Sequence, residues 1–219
     1  FHGPYEEFET IINDCDWDMV QIQYNFMDVD NQAGTKGLEL AGRLGIPVVI
    51  MEGLLGGRLA KAPENVQALY DAFPVKRSPV EWAFRWLCNH PEVATVLSGC
   101  NEEAQIDDNL RIFDTVEPGI MTAEELRLMD DVRTAYLTRT KIGCTGCRYC
   151  VPCPNDVFIP SVFHSYNENA MLGQDWKHSW GYGNLVKDGH DASKCIGCGA
   201  CEAQCPQHLP IIDLLAKID

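Results

Sequence analysis

The sequence is short of cations and has no cluster of them: 17 Lys plus Arg stand against 32 Asp plus Glu, a formal charge of −15. An acidic chain without a Lys/Arg block repels phosphate backbones, which sets aside nucleic acid and anionic membrane surfaces as partners. No apolar run nears the roughly 18 residues a membrane-spanning helix needs. The longest such run, Ile46 to Met51, reads as a buried strand. No basic segment followed by an apolar one opens the chain, so no secretory signal is read and a cytoplasmic location is expected. An initiator Met is missing too; the start, Phe1-His2-Gly3, reads as a cut rather than a natural beginning. Cysteine, by contrast, is plentiful, with 11 in 219 residues, and 46% hydrophobic residues suffice for a core. Roughly 150 residues per domain implies one large or two modest domains.

Three cysteines, Cys15, Cys88 and Cys100, are scattered and read as small buried apolar residues. The other eight form two tight groups: Cys144, Cys147, Cys150 and Cys153, then Cys195, Cys198, Cys201 and Cys205, each group followed directly by Pro. The second group is a full C-x2-C-x2-C-x3-C-P run, the bacterial ferredoxin spacing for a [4Fe-4S] cubane. Steps of three residues in a curling loop bring three sulfurs to three iron corners. The small residues Gly197, Gly199 and Ala200 keep the backbone close enough for amide N–H groups to reach the sulfides. In two-cluster proteins the last cysteine of such a run binds the other cluster.

The first group ends on a two-residue gap instead of three. A crossed partition is expected, with Cys144, Cys147, Cys150 and Cys205 on one cube and Cys153, Cys195, Cys198 and Cys201 on the other. A sequential partition stays open. Disulfides would need an oxidising compartment, of which the sequence gives no sign. Structural zinc also uses paired C-x2-C motifs, but it leaves the triple repetition and both Cys-Pro endings unexplained. Cubanes held by four thiolates are anionic, so a low potential and a basic or flavin-bearing electron partner are expected.

Residues before the first cysteine group alternate between strand and helix patterns. Tyr5 to Ile12 has helical spacing, Met19 to Tyr24 alternates like a strand, Thr35 to Leu44 is a helix ending at Gly45, and Ile46 to Met51 follows as a strand. Ser78-Pro79-Val80-Glu81 is a capping box opening a long helix, Ala94 to Leu97 a third strand, and 103 to 113 another helix. Strands separated by helices imply parallel pairing with right-handed crossovers. At roughly 31 residues per unit, these segments make half of a (β/α)8 barrel. Three parallel strands cannot close, so the missing units should precede Phe1.

The order Gln21-Ile22-Gln23-Tyr24-Asn25, Ile46 through Leu59, Ser78 through Ala83, and Val96 through Asn101 with Gln105 and Asn109 resembles the C-terminal half of an aldo/keto reductase. With both cysteine groups appended, the whole chain resembles the iron-sulfur branch of that family. The resemblance implies an α/β fold: the C-terminal part of a TIM barrel over 1–115, a linking helix over 116–140, and a small, mainly helical ferredoxin-like two-cluster domain over 141–219. It implies an oxidoreductase that binds a nicotinamide cofactor, NAD(P), and acts on a small carbonyl or alcohol substrate, exchanging electrons with a protein or flavin partner.

Carried over residue by residue, the resemblance implies that Gln21 holds the nicotinamide amide. Gly53, Leu54, Gly56, Gly57 and Arg58 lie along the pyrophosphate, and Ser98, Gly99, Cys100, Asn101, Gln105 and Asn109 hold the adenosine end. Gly99 and Gln105 stand where NADP-preferring members carry basic residues, and Glu102, Glu103, Asp107 and Asp108 add negative charge, which favours NAD or a weak nicotinamide site. The plainer reading is that these glycines and amides only cap and turn. The family's catalytic Asp, Tyr, Lys and His have no counterpart here, so no catalytic residue is named; His2 is a lone candidate, and Tyr5 and Tyr24 read as packing. Hydride carries two electrons and a cluster one, so coupling them needs a splitting agent that the sequence does not show. The rival reading is an electron-carrier or scaffold subunit with a relict barrel.

Thr122-Ala-Glu-Glu125 is a second capping box, opening a helix through about Tyr136. A helix from Ile159 through Tyr166, an aromatic loop with Trp176, Trp180 and Tyr182 that screens a cluster or simply packs, and a closing helix over Pro210 to Leu215 complete the expectation.

Overall fold

The computed structural model describes residues 1–219, apart from the side chain of His178. The chain forms two compact units, Phe1–Ala135 and Tyr136–Asp219. In the first, α1 (Tyr5–Ile12), β1 (Val20–Gln23), α2 (Gly34–Arg43), β2 (Val48–Met51), α3 (Glu64–Ala72), α4 (Pro79–Cys88), β3 (Val93–Val96) and α5 (Glu103–Phe113) follow in order. The strands form one parallel sheet in the order β1-β2-β3, with Ile22 beside Ile50 and Ile50 beside Val96. The register shifts between Val48 and Val49. Helix α6 (Ala123–Leu137) crosses the boundary between the units.

Period-two alternation sets the core of this sheet. Ile22, Val48 and Ile50 are buried against Phe8, Leu38 and Ala41 of the helices, with Phe84 and Leu87 of α4. The apolar run Ile46 to Met51 is not buried on both faces as expected: Val48 and Ile50 are buried, while Val49 and Met51 are only half-buried. Helix α3 has no counterpart in the sequence reading, although Pro63 precedes its first turn and Val66 and Tyr70 form its buried face.

Ser78 caps α4 by accepting the Glu81 N–H at 3.1 Å. Glu81 does not return the bond as a capping box requires. Its carboxylate is buried and takes Arg85 Nε at 2.9 Å and Arg111 Nη2 at 2.8 Å, with Arg77 at 3.6 Å. The second box closes in both directions: Thr122 Oγ1 accepts from the Glu125 N–H at 3.2 Å and Glu125 Oε2 from the Thr122 N–H at 2.9 Å.

In the second unit, α7 (Ile159–Leu172), α8 (Trp180–Asp188), α9 (Ala200–Ala203) and α10 (Ile211–Ile218) are joined by loops and 3-10 turns. Helix α7 runs beyond the expected end at Tyr166 to Gly173, whose φ of 69° stops it. The expected aromatic loop is instead a 3-10 turn over Trp176–His178 followed by α8. Trp176 packs edge-on against Tyr166 and Tyr182 inside the unit, whereas Trp180 is 85% exposed. The core of Val157, Ile159, Val162, Phe163, Ile211 and Leu215 has six of the cysteines packed against it. Among the described residues, no helix is long and apolar enough to cross a membrane.

Burial alone would raise the Glu81 carboxyl, but hydrogen bonds from Arg111 and Arg85 outweigh it and hold the group below its ordinary value of 4.5. Its contribution to stability is therefore present above that value and lost as pH falls through the lower folded value. Glu81→Gln is expected to cost about 2–3 kcal/mol at neutral pH, less than a wholly buried pair because Arg111 keeps much of its side chain in water. Urea unfolding followed by tryptophan fluorescence should show the gap between wild type and variant closing on acidification; a gap independent of pH would refute this account.

Candidate metal centres and cofactor cleft

The two cysteine runs repeat one backbone path. Gly146 and Gly197 adopt φ of 69° and 67°, and the residues after the second cysteine, Arg148 and Gly199, adopt 65° and 78°. These left-handed steps curl each loop so that successive thiols face one space. Glycine adopts them freely, whereas an L-residue with a side chain pays about 1–2 kcal/mol.

The thiols meet in a crossed arrangement. Cys144, Cys147, Cys150 and Cys205 line one small cavity with Thr145, Arg148 and Gln207. Cys153, Cys195, Cys198 and Cys201 line a second with Ile196, Val157 and Leu215. Ile159, at the start of α7, forms part of both walls. All eight are free thiols; Cys147 and Cys198 are exposed and the other six half-buried. Burial pushes the Cys150 thiol up, and the neighbouring Cys144, Cys147 and Cys205 push it the same way. Crowded thiols of this kind favour a cationic group among them.

The spacing of the donors bears on which group fits. Among the described residues, no three His, Cys, Asp or Glu side chains are gathered tightly enough to hold one metal ion. A single zinc ion needs four sulfurs each about 2.3 Å from one point. Four thiols from two loops lining one space suit a group with several metal corners, each taking one sulfur. The residues present fit an iron-sulfur cube in each cavity.

In the first unit, an open cleft of about 480 Å³ lies at the ends of β2 and β3. Gly53, Leu54, Gly56 and Gly57 line one side, and Ser98, Gly99, Cys100, Asn101, Gln105 and Asn109 the other. Gln21 and Arg58 are not part of the lining. Gln21 Nε2 instead donates to Met51 Sδ at 3.3 Å, and the Gln21 backbone carbonyl accepts from the Phe1 ammonium; Arg58 Nε donates to the Leu55 carbonyl at 3.1 Å. His2 is exposed. Tyr24 is buried with its hydroxyl 2.9 Å from Thr35 Oγ1.

The turn after β2 is tightly wound, with positive φ at Glu52, Leu55, Gly56 and Gly57. Asn25, fully buried, anchors it: Nδ2 donates to the Glu52 carbonyl at 3.0 Å, while Oδ1 accepts the N–H groups of Met27 and Asp28. A Cβ at Gly53 would lie 2.9 Å from Leu87 Cδ1 and 3.1 Å from Val96 Cγ1, whereas one at Gly57 would meet nothing within 4 Å. Some polar groups already serve one another: Asn109 donates to Ser98 Oγ at 3.0 Å, and Gln105 Oε1 accepts the Asn101 N–H at 3.1 Å. Two carboxylates that the sequence reading did not place in the site, Glu52 and Asp108, also line it, and no Lys or Arg does. Asp108 was visible as a charge near Gln105, but only the turn of α5 shows that it faces the cleft.

Residues 5–132 match the model of the aldo/keto reductase family, and residues 143–209 match that of a 4Fe-4S dicluster domain. The chain belongs to the aldo/keto reductase family and carries a 4Fe-4S dicluster domain after it. Among solved structures, it is similar to the aldo-keto reductase AKR11C1 from Bacillus halodurans. Its holo form matches at 20% identity with a TM-score of 0.48, covering 59% of this chain and 47% of that one. The apo form gives the same identity and TM-score, with 48% of that chain covered. This chain thus spans about half the length of these solved structures. No curated protein matches it.

Gly53→Val is expected to destabilise the first unit by about 1–3 kcal/mol through overpacking against Leu87 and Val96. Thermal unfolding checks the effect, and an unchanged midpoint would show that the close approach does not matter.

Proposed function

We propose that this chain is the cofactor-binding and electron-transfer portion of an oxidoreductase of aldo/keto reductase type, acting on a small carbonyl or alcohol with a nicotinamide cofactor. The observation that carries the reading is the gathering of eight thiols into two cavities in a chain whose first unit belongs to that family. Cys144, Cys147, Cys150 and Cys205 hold one [4Fe-4S] cluster, and Cys153, Cys195, Cys198 and Cys201 hold the other. Such clusters supply one-electron transfer. Apolar walls at Ile159, Val157 and Leu215 keep water from the inner faces, while Cys147 and Cys198 lie where a flavin or electron-transfer protein can approach.

At the cleft, Gly56 and Gly57 present backbone N–H groups without side chains to obstruct a pyrophosphate. Ser98, Asn101, Gln105 and Asn109 offer neutral polar groups to the adenosine end. Glu52 and Asp108, unopposed by any lining Lys or Arg, disfavour an additional phosphate, so the cleft takes NAD in preference to NADP. Gln21 and Arg58 reach the cofactor only after leaving Met51 and the Leu55 carbonyl.

Protein prepared without oxygen is expected to hold about eight iron and about eight acid-labile sulfide per chain. EPR after reduction should place Cys205→Ala and Cys144→Ala on one signal, and Cys153→Ala and Cys195→Ala on the other. A pairing of Cys205 with Cys195 would restore the sequential partition, and zinc in place of iron would overturn the redox reading. NADH is expected to bind more tightly than NADPH; failure of both to bind the full-length protein would favour a carrier subunit.

A further inference from the structure

The two cysteine loops share a backbone but part company at one residue. After the second cysteine both chains turn left-handed, with φ of 78° at Gly199 and 65° at Arg148. Glycine serves that step without strain; arginine does not. A strained residue kept where its own repeat uses glycine points to a task for its side chain.

Surroundings differ in the same sense. Arg148, Thr145 and Gln207 give the first cavity one cation and two neutral polar groups, with no carboxylate in its lining. No ion pair holds Arg148 among the described residues. The second cavity has no charged or amide side chain in its lining. Burial raises the pKa of the Cys201 thiol, and Glu202, next to it, raises it further through its charge; Glu202 Oε1 accepts the N–H of the wall residue Ile212 at 2.8 Å. Lys194, beside Cys195, is not part of that lining.

We infer that Arg148 sets the Cys144/Cys147/Cys150/Cys205 centre at a higher reduction potential than the Cys153/Cys195/Cys198/Cys201 centre, giving electron flow through the domain a direction. Adding an electron makes a centre more negative. A nearby cation and polar groups stabilise that form, whereas an apolar wall and a carboxylate disfavour it. One electron, delivered to the second centre by a flavin or electron-transfer protein, then passes to the first, which is reduced as the second is reoxidised; no bond breaks and no proton moves. Arg148 is exposed, so salt screens part of its effect. Arg148 is a positioning residue in this sense, acting through its field and not by ligation.

The inference rests on the two-cluster reading above, and potentiometric titration followed by EPR, with iron and sulfide assayed on the same samples, tests the two separately. Wild type should show two one-electron steps, the upper belonging to the signal that Cys144→Ala perturbs. Arg148→Gly, which copies the second loop and relieves the left-handed strain, should leave iron content and thermal stability undiminished while shifting the upper step alone to lower potential. Arg148→Lys should keep most of the wild-type value, Glu202→Gln should raise the lower step, and added salt should narrow the gap in wild type more than in Arg148→Gly. Full iron content with an unmoved upper step in Arg148→Gly, or with the lower step moving instead, overturns the inference while the two-cluster reading stands. Iron content well short of two clusters in wild type overturns that reading, and the inference with it.

Discussion

Holding four thiols around one small space is unfavourable for a bare polypeptide, and the second unit is organised around doing so twice. Burial and mutual proximity both push Cys150 toward its neutral form, so a cationic group accepting four sulfurs relieves the crowding. Other features of the unit serve this gathering. Left-handed steps at Gly146 and Gly197 curl the loops, and the exchange of Cys153 for Cys205 ties two distant runs together. Ile159 and the helix it begins form a wall common to both cavities. Six cysteines packed against the apolar core make the centres part of what holds the unit together. A metal group held by these thiols would couple its binding to the folding of the unit.

The first unit answers to a different constraint. A parallel sheet places its strand ends on one side, and the loops leaving β2 and β3 meet there to form the cleft. Asn25 fixes the wound turn after β2 to the loop after β1, and Gly53 lets that turn approach Leu87 and Val96. Behind the cleft, Glu81 draws together arginines from α4, α5 and the preceding loop. One carboxylate so placed links elements whose relative position shapes the site.

Charge is divided unevenly between the units. The first carries 24 of the 32 acidic residues, against 10 Lys plus Arg, whereas the second is nearly balanced, with 8 against 7. The acidity expected over the whole surface thus belongs mostly to the family domain. Screening confines the influence of exposed groups to about 8 Å at physiological salt, so around the thiols net charge counts for less than the residues lining each cavity.

Short-range pattern made much of this legible in advance. Strand and helix alternation, the caps at Ser78 and Thr122, and the cysteine spacings are local properties, and local backbone chemistry dictates them. Helix α3 and α8 were less legible: the first has no side-chain cap and only Val66 and Tyr70 on its buried face, and the glycines and aromatics of the second read equally as loop. Ten of the twelve residues carried over from the family line the cleft, because loop residues beside a strand end have little freedom; Gln21 and Arg58 have longer side chains that found partners elsewhere. The sequence by itself determined where the two cysteine groups fall, which segments are strands, and which family the chain resembles. Only the tertiary structure decided that Glu81 spends its charge on arginines, that Asp108 faces the cleft, and that Arg148 stands at one thiol cavity with no counterpart at the other. Those outcomes depend on the direction of side chains from separate elements, which no spacing along the chain records.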